Sequence, residues 1–576
     1  MPSSEAKAGD VGVGVGSGVF AGPGVEARRP RPGGGDGEGL GLGVGGTGFS
    51  VTFGAGVGVG IGKICARAPV PPANASAKAA ALAKPSETRL RERAVCFKIP
   101  LNRNRSLQKA NVGGSPPVPS ALVSRRKRAG AERRNAAGMD DHAFGFRTRA
   151  LHAGTPPDPT TGARAMPIYL STSFVFDSTE HAAELFALRT YGNIYSRIGN
   201  PTVAAFEERM ASLEGGLGAV ATSSGLAAQL TTILGVAQAG DHVVAGASLY
   251  GGTITQFTVT LKRMGIECTL VGGDDLGAIR AAIKPNTKLL FTETIGNPLG
   301  NVADLEAWAA LAHEHGVPFV VDNTFATPVL CRPLESGADI VVHSATKFIG
   351  GHGTVIGGVL VESGKFPWAA GKHPLLSEPS PGYHDMNFAE TFGEYAFLMR
   401  ARAEVLRDVG GCLSPMNAWL LLQGLETLPL RMKAHVENAR TIAEFLAGRD
   451  EVAWINFAAL DDSPYRALAR KYLPDGAGAI FTFGLRGGRE AGRAFIEALE
   501  LWSHLANVGD AKSLVIHPAS TTHQQLTDDE MRASGVTPEM VRLSVGLEDA
   551  DDLIWDLENG LRAARNVAER EAVPAK

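Results

Sequence analysis

"DIVVHSATKFIGGHG", residues 339–353, opens as a strand and closes as a loop of small residues around one lysine. The run "DIVVH" is rich in β-branched side chains, which suits a strand covered on both faces. Lys347 follows directly, behind Ser344 and Thr346 and ahead of Gly350, Gly351 and Gly353. A solvated surface lysine needs no such setting. A lysine that must meet a flat, phosphorylated ligand does.

The same strand signature recurs on either side. "GAVAT" (218–222), "HVVAG" (242–246), "KLLFT" (288–292), "PFVVD" (318–322) and "IGGVLV" (356–361) are short apolar runs. Helical stretches such as "LEAWAALAHEHG" (305–316) separate several of them. This alternation predicts an α/β fold, a mostly parallel sheet covered by helices. In such sheets the active groups collect at the carboxyl ends of the strands.

Those ends share a chemistry. "SSGLAAQL" follows the first strand, so serines and a glycine open a helix whose free N–H groups at Gly225 and Leu226 can seat a phosphate. An ordinary Ser cap explains the same letters. "ASLYGGT" puts Tyr250 in a Gly-rich loop, where its ring could stack on a flat cofactor or pack. "ETIGNP" carries Asn297, a turn former. Asp322 ends an apolar strand, a costly place for a carboxylate without a partner. An amine, a carboxylate, a phosphate cup completed by Ser344 and Thr346, and an aromatic plate together match pyridoxal 5'-phosphate (PLP).

The ordered motifs "YSRIGNPT" (195–202), "SSGLAA" (223–228), "LYGGT" (249–253), "DNTFATP" (322–328), "HSATKFIGGHG" (343–353) and "RLSVGLED" (542–549) resemble those of the Cys/Met-metabolism family of PLP-dependent enzymes. Asp322 lies 25 residues before Lys347, as the family pattern expects. The resemblance covers roughly residues 139–566. It implies the aspartate-aminotransferase-like fold type I, with a mostly parallel sheet in the large domain and a smaller C-terminal α/β domain. It also implies an arm over 139–199, a PLP-binding domain over 200–395, a C-terminal domain over 396–566 and a tail over 567–576.

For the site, the resemblance implies that Lys347 condenses with the cofactor aldehyde and then acts as the base. Asp322 would keep the pyridine nitrogen protonated. Tyr250 would cover the ring and act near the leaving group, and Asn297 would contact the ring's phenolic oxygen. Arg542 would hold the substrate α-carboxylate, with Asn507 and the backbone near Ser513 assisting. Tyr195 and Arg197 would reach from the arm into a neighbouring subunit's phosphate site, in a homotetramer built from active dimers.

Three features lean toward the branch of the family that replaces the acetate of O-acetylhomoserine with sulfide. Gly252 stands where methionine gamma-lyases carry a cysteine, "HPLLSEPSPGYHDMNF" (373–388) is similar to an insertion of that branch, and Asn507 stands where many relatives have serine. Phe348, in place of a commoner tyrosine, and Gly199, in place of methionine, depart from the pattern. O-succinylhomoserine sulfhydrylase, cystathionine gamma-synthase and methionine gamma-lyase activities remain as alternatives. A PLP-binding or nucleic-acid-tethered pseudoenzyme is the non-catalytic one. Such a chain is expected to lose Lys347 or Asp322, and both are present.

The bulk figures divide the 576 residues in two. Residues 1–138 hold 21 of the 56 Lys and Arg but only 8 of the 59 Asp and Glu, leaving 35 and 51 to the remainder. Glycine makes up roughly a fifth of this first part, which offers little to pack. It reads as a low-complexity, disordered leader, or as an upstream extension of a chain that starts at Met139. A transit peptide fits its arginine-rich, acid-poor composition as well. The basic stretch "SRRKRAGAERR" (124–134) reads as solvated charge, so no nucleic-acid partner is expected. The uncharged run 40–61 has too many glycines for a membrane span. The five cysteines, at 65, 96, 268, 331 and 412, have neither metal-site nor disulfide spacing. A reducing, cytoplasmic setting without a bound metal is the expectation.

Overall fold

Seven strands form the central sheet of the computed structural model: β1 (Gly218–Thr222), β2 (His242–Gly246), β3 (Glu267–Val271), β4 (Thr287–Glu293), β5 (Phe319–Asp322), β6 (Ile340–Ser344) and β7 (Gly358–Glu362). Their order is β1-β7-β6-β5-β4-β2-β3. β7 is antiparallel to both β1 and β6, and the other pairings are parallel. All strands but β7 therefore run the same way and end on one side of the sheet. The structure describes residues 143–272, 275–521, 531 and 535–572, within the unit Gly113–Lys576. The expectations for residues 1–138, Met139, Cys65 and Cys96 lie outside the described residues.

The strands read as near-continuous apolar runs because both faces are covered. Every residue of β2, β4, β5 and β7 is buried. The edge strand β3, "ECTLV", is only half-buried, and its mixed composition hid it from the sequence reading. Helix α1 (Leu305–Glu314) shows how a connection is set. Asp304 caps it by accepting the Ala307 N–H, and Leu305, Trp308, Ala309, Leu311 and Ala312 turn inward. That spacing is one helical face. Trp308 then stacks on Phe319 of β5 at 5.8 Å between ring centres.

A short ribbon, β8 (Pro379–Ser380) with β9 (Met386–Asn387), lies in the 373–388 segment. Beyond it, helix α2 (Pro415–Ala447) leads to a second sheet of β10 (Val452–Asn456), β11 (Ile480–Leu485), β12 (Ser503–His504), β13 (Leu514–Ile516) and β14 (Met540–Ser544). Its order is β10-β11-β14-β13-β12. The comparatively polar helix α3 (Ala550–Ala572) packs on helix α4 (Gly488–Glu497). Among the described residues no helix is long and apolar enough to cross a membrane.

The join between β7 and the end of β1 is tight. Gly358 pairs with Thr222, and a Cβ at 358 would run into the Ser224 carbonyl, which is backbone and cannot swing aside. Gly358→Ala is expected to destabilise the fold by about 3 kcal/mol, the cost of overpacking a rigid core site. Thermal unfolding of the variant beside the parent chain measures this.

Candidate active site

The loop after β6 is built by close backbone approach. Gly350 donates to the Ala345 carbonyl and Gly351 to the Lys347 carbonyl, each at 2.8 Å. Gly351 has φ +71° and Gly353 φ +64°, which explains glycine at both positions. Arg431 of α2 clamps this turn from behind. Its guanidinium donates to the carbonyls of Phe348 (2.7 Å), Gly424 (2.8 Å) and Ile349 (3.3 Å). Burial pulls Arg431 down to about 10. Phe348 is fully buried, edge-on to His435, and so plays a packing part.

Lys347 thereby projects into a cavity of about 400 Å³. The same lining holds Gly225, Leu226, Tyr250, Asn297, Asp322, Ser344, Thr346, Asn507 and Arg542. The structure thus brings together ten of the thirteen residues singled out in the sequence. A larger groove of about 960 Å³, along α2, contains none of them.

The charges are distributed unevenly. Lys347 Nζ donates to Asn507 Oδ1 at 2.6 Å. Burial first, and Arg542 second, push its amine down to about 8. Burial also lowers Arg542 to about 10, and Nη1 donates to Asn297 Oδ1 at 3.1 Å. Asp322 is held by Gln229 Nε2 at 3.0 Å and by the Thr324 N–H at 2.9 Å. Thr253 in turn donates to Gln229 Oε1. Glu293 is the cross-strand neighbour of Asp322 and lines the cavity too.

The candidate phosphate cup has a visible steric basis. Helix α5 (Gly225–Val236) is capped by Ser224, which accepts from Ala227 N and leaves the first N–H groups of the helix without an intrahelical partner. A Cβ on Gly225 would come within 2.6 Å of Ser344 Cβ, so only glycine lets the helix end meet the β6 loop. Gly252 is explained in the same way: the Tyr250 ring lies against its Cα, where a side chain would collide. The Thr346 hydroxyl is engaged with Gly357, donating to its carbonyl and accepting its N–H.

Three of the sequence candidates lie elsewhere. Ser513 is fully buried, and both its N–H and its hydroxyl donate to Glu548, so its side chain is committed away from the cavity. Tyr195 and Arg197 sit together in the arm, the guanidinium 5.3 Å from the ring centre, and do not line the cavity of their own chain. Conversely, Gln229, Glu293, Thr324 and Arg431 were passed over. Gln229 had a signal: it stands one helical turn after Gly225, on the face that looks at Asp322. Arg431 had none, being distant in sequence from the lysine loop it holds.

Residues 147–562 match the family described as Cys/Met metabolism PLP-dependent enzyme. The chain belongs to this family. Its cofactor is PLP, and the family assignment agrees with the resemblance seen in the motifs. The O-acetyl-L-homoserine sulfhydrylase 1 of Thermus thermophilus is 52% identical over 72% of this chain and 99% of its own length. The homocysteine synthase of Schizosaccharomyces pombe is 50% identical over 73% and 98%. A Campylobacter jejuni crystal structure described as an O-acetylhomoserine (thiol)-lyase, carrying N'-pyridoxyl-lysine-5'-monophosphate, superposes with a TM-score of 0.71. It is 38% identical and covers 73% of this chain and 100% of its own.

The residues present fit PLP. An amine, a buried carboxylate, a helix N-terminus that begins at an obligatory glycine and an aromatic ring surround one cavity of suitable size. The Cys/Met-family lysine loop depends on Arg431 for its shape. Arg431→Met is expected to strand the Phe348 and Ile349 carbonyls, lower stability by about 2–3 kcal/mol and weaken PLP binding about tenfold or more. Arg431→Lys should restore less than half of either, because an ammonium cannot span the three acceptors. Unfolding curves and PLP titration of the cofactor-free protein measure both.

Proposed function

We propose that the chain catalyses a γ-replacement, converting O-acetyl-L-homoserine and sulfide into L-homocysteine and acetate in methionine biosynthesis. The meeting of Lys347, Asp322, Tyr250 and Arg542 around one cavity carries this reading. The names of the family relatives supply the substrate. Acetate is the smaller acyl group and brings no second carboxylate. The cations in the described lining are Lys347 and Arg542, both already assigned.

PLP, when bound, supplies an electron sink that stabilises negative charge on the carbon bearing the substrate amine. In this reading Lys347 Nζ is the group that would hold the cofactor aldehyde. Once free of it, the Lys347 amine would take the α-proton and return a proton later in the cycle. Asp322 keeps a proton on the pyridine nitrogen, and the bonds from Gln229 and Thr324 fix it in place. Arg542 grips the α-carboxylate with its planar fork. The Tyr250 phenol, half-exposed at the cavity, stands ready to protonate the departing acetate. The Cγ–O bond breaks, a Cγ–S bond to sulfide forms, and acetate leaves.

The finer assembly is also proposed. Val175 is 97% exposed, Tyr191 70% and Leu170 69%, an apolar surface along the arm that suits a second copy of the chain. On that reading Tyr195 and Arg197 complete the phosphate site of a partner in a homotetramer. A reducing cytoplasmic setting suits the free thiols of Cys268, Cys331 and Cys412.

Purified protein should absorb in the visible region and form homocysteine from O-acetylhomoserine and sulfide, with O-succinylhomoserine at least tenfold poorer in kcat/KM. Equal or better use of the succinyl ester would overturn the acetyl assignment. Lys347→Ala should lose the visible band and at least about 10³-fold in kcat. Because burial holds its amine near 8, the rate of PLP uptake by cofactor-free protein should rise with pH up to about 8 and then level. A rise continuing toward pH 10 would mean that Lys347 is not the reacting group.

A further inference from the structure

The strand ends that line the cavity carry a second set of side chains behind it. Glu293, Asp322, Thr324 and Ser344 line the cavity, and Thr294, Asn323 and His343, each next to one of them in sequence, do not. Alternation along an extended chain turns these three the other way. All three are fully buried, and so is Glu214, the last residue of the helix Pro201–Glu214. The four side chains meet at the Asn323 amide. Thr294 Oγ1 donates to Asn323 Oδ1 at 2.8 Å. Asn323 Nδ2 donates to Glu214 Oε1 at 3.0 Å and to the Cys331 carbonyl at 2.9 Å. His343 Nε2 meets the same Glu214 oxygen at 2.6 Å.

We propose that Asn323 is a positioning residue whose amide ties the ends of β4, β5 and β6 together behind the cavity, and so fixes where Asp322 and the 344–347 turn stand. The proposal rests on the reading of this cavity as a PLP site. The amide oxygen and both amide N–H groups are engaged, and each reaches a different part of the chain. The Thr294 bond secures the end of β4. The Glu214 bond secures β6 through His343. The Cys331 bond closes the turn that follows β5. The backbone is joined across the same three ends: the Thr294 N–H donates to the Asp322 carbonyl and the Asn323 N–H to the Val342 carbonyl, each at 3.0 Å. On the cavity side, the Thr324 N–H donates to Asp322 Oδ1 at 2.9 Å, and the Ser344 N–H donates to the Thr324 hydroxyl at 2.8 Å. The carboxylate and the start of the lysine loop are thus joined through one short stretch, 322–324, and its middle residue is gripped from behind. Aspartate has the shape of asparagine but no N–H to give. At 323 it would set a carboxylate oxygen against the Glu214 oxygen that now receives a donor.

The test compares Asn323→Asp, Glu214→Gln and the double variant with the parent holoenzyme. Three quantities are read beside thermal unfolding: PLP affinity by titration of the cofactor-free protein, the visible circular dichroism of the bound cofactor, and kcat with O-acetylhomoserine and sulfide. Asn323→Asp should weaken PLP binding about tenfold, reduce the visible dichroism and lower kcat about tenfold, as expected for losing two buried hydrogen bonds. Adding Glu214→Gln should win back about threefold of each loss, because the amide introduced at 214 can donate to the carboxylate introduced at 323. Glu214→Gln alone should bring no gain over the parent, so that the recovery belongs to the pair. A double variant no better than Asn323→Asp would overturn the proposal. So would an Asn323→Asp protein with lowered thermal stability but the parent's dichroism, PLP affinity and kcat, the mark of a merely structural residue. If Asn323→Asp does not fold, Thr294→Val decides, since it removes a single hydroxyl: about threefold weaker PLP binding with reduced dichroism is expected, and parent values in both would overturn the proposal. Failure of the parent chain itself to bind PLP would refute the site reading instead, so the two failures are distinguishable.

Discussion

A half-buried amine without a carboxylate against it is the constraint on which the rest depends. Among the described residues Lys347 makes its hydrogen bond to the amide oxygen of Asn507, not to an acid. Burial and the neighbouring Arg542 both disfavour its charged form. Such a group is unfavourable in a protein that has no use for it. The fold sustains it by over-determining the backbone on either side: β6 in front, two left-handed glycines behind, and Arg431 bonded to the carbonyls of the turn. A second cation, Arg431, is thus buried so that the first can be held in place.

The sheet topology explains why the other groups are there to meet it. With β1, β2, β4, β5 and β6 all pointing one way, the loops carrying Gly225, Tyr250, Asn297, Asp322 and Lys347 emerge on one side. None of these residues had to be brought together by a special device. The second sheet contributes Arg542 from β14, whose buried, alternating strand turns Met540, Arg542 and Ser544 to one face and Val541 and Leu543 to the other. The cavity lies where the end of one sheet meets a face of another, and both parts of the chain are needed to line it.

The sequence made the central sheet readable because strands covered on both faces must be apolar throughout; the runs at 218–222 and 242–246 match their strands residue for residue. The edge strand at 267–271 escaped for the same reason, since it is covered on less of its surface and need not be apolar. Lys347 and Asp322 were legible because each is chemically out of place where it stands. Gln229 and Thr324 were not, because an amide or a hydroxyl on a helix or loop is unremarked until its partner is known. Arg431 and Glu293 belong to a third kind. Arg431 reaches the lysine loop across 83 residues and Glu293 reaches Tyr250 across 43, each from a side chain to a peptide group, and peptide groups leave no trace in the letters. Ser513 shows the converse: an apt residue near the site whose hydroxyl is already committed to Glu548.

The division of charge in the cavity carries a further consequence for the proposed reaction. Burial first, and repulsion from Arg542 second, make Lys347 easier to deprotonate to the neutral amine, which is the form able to attack an aldehyde. A substrate carboxylate seated on Arg542 would cancel that repulsion. The amine, set free by the incoming substrate, would then become more basic at the moment it has to take a proton. In this arrangement burial and the repulsion between two cations together prepare Lys347 as a nucleophile, and relief of that repulsion would then suit it to act as a base.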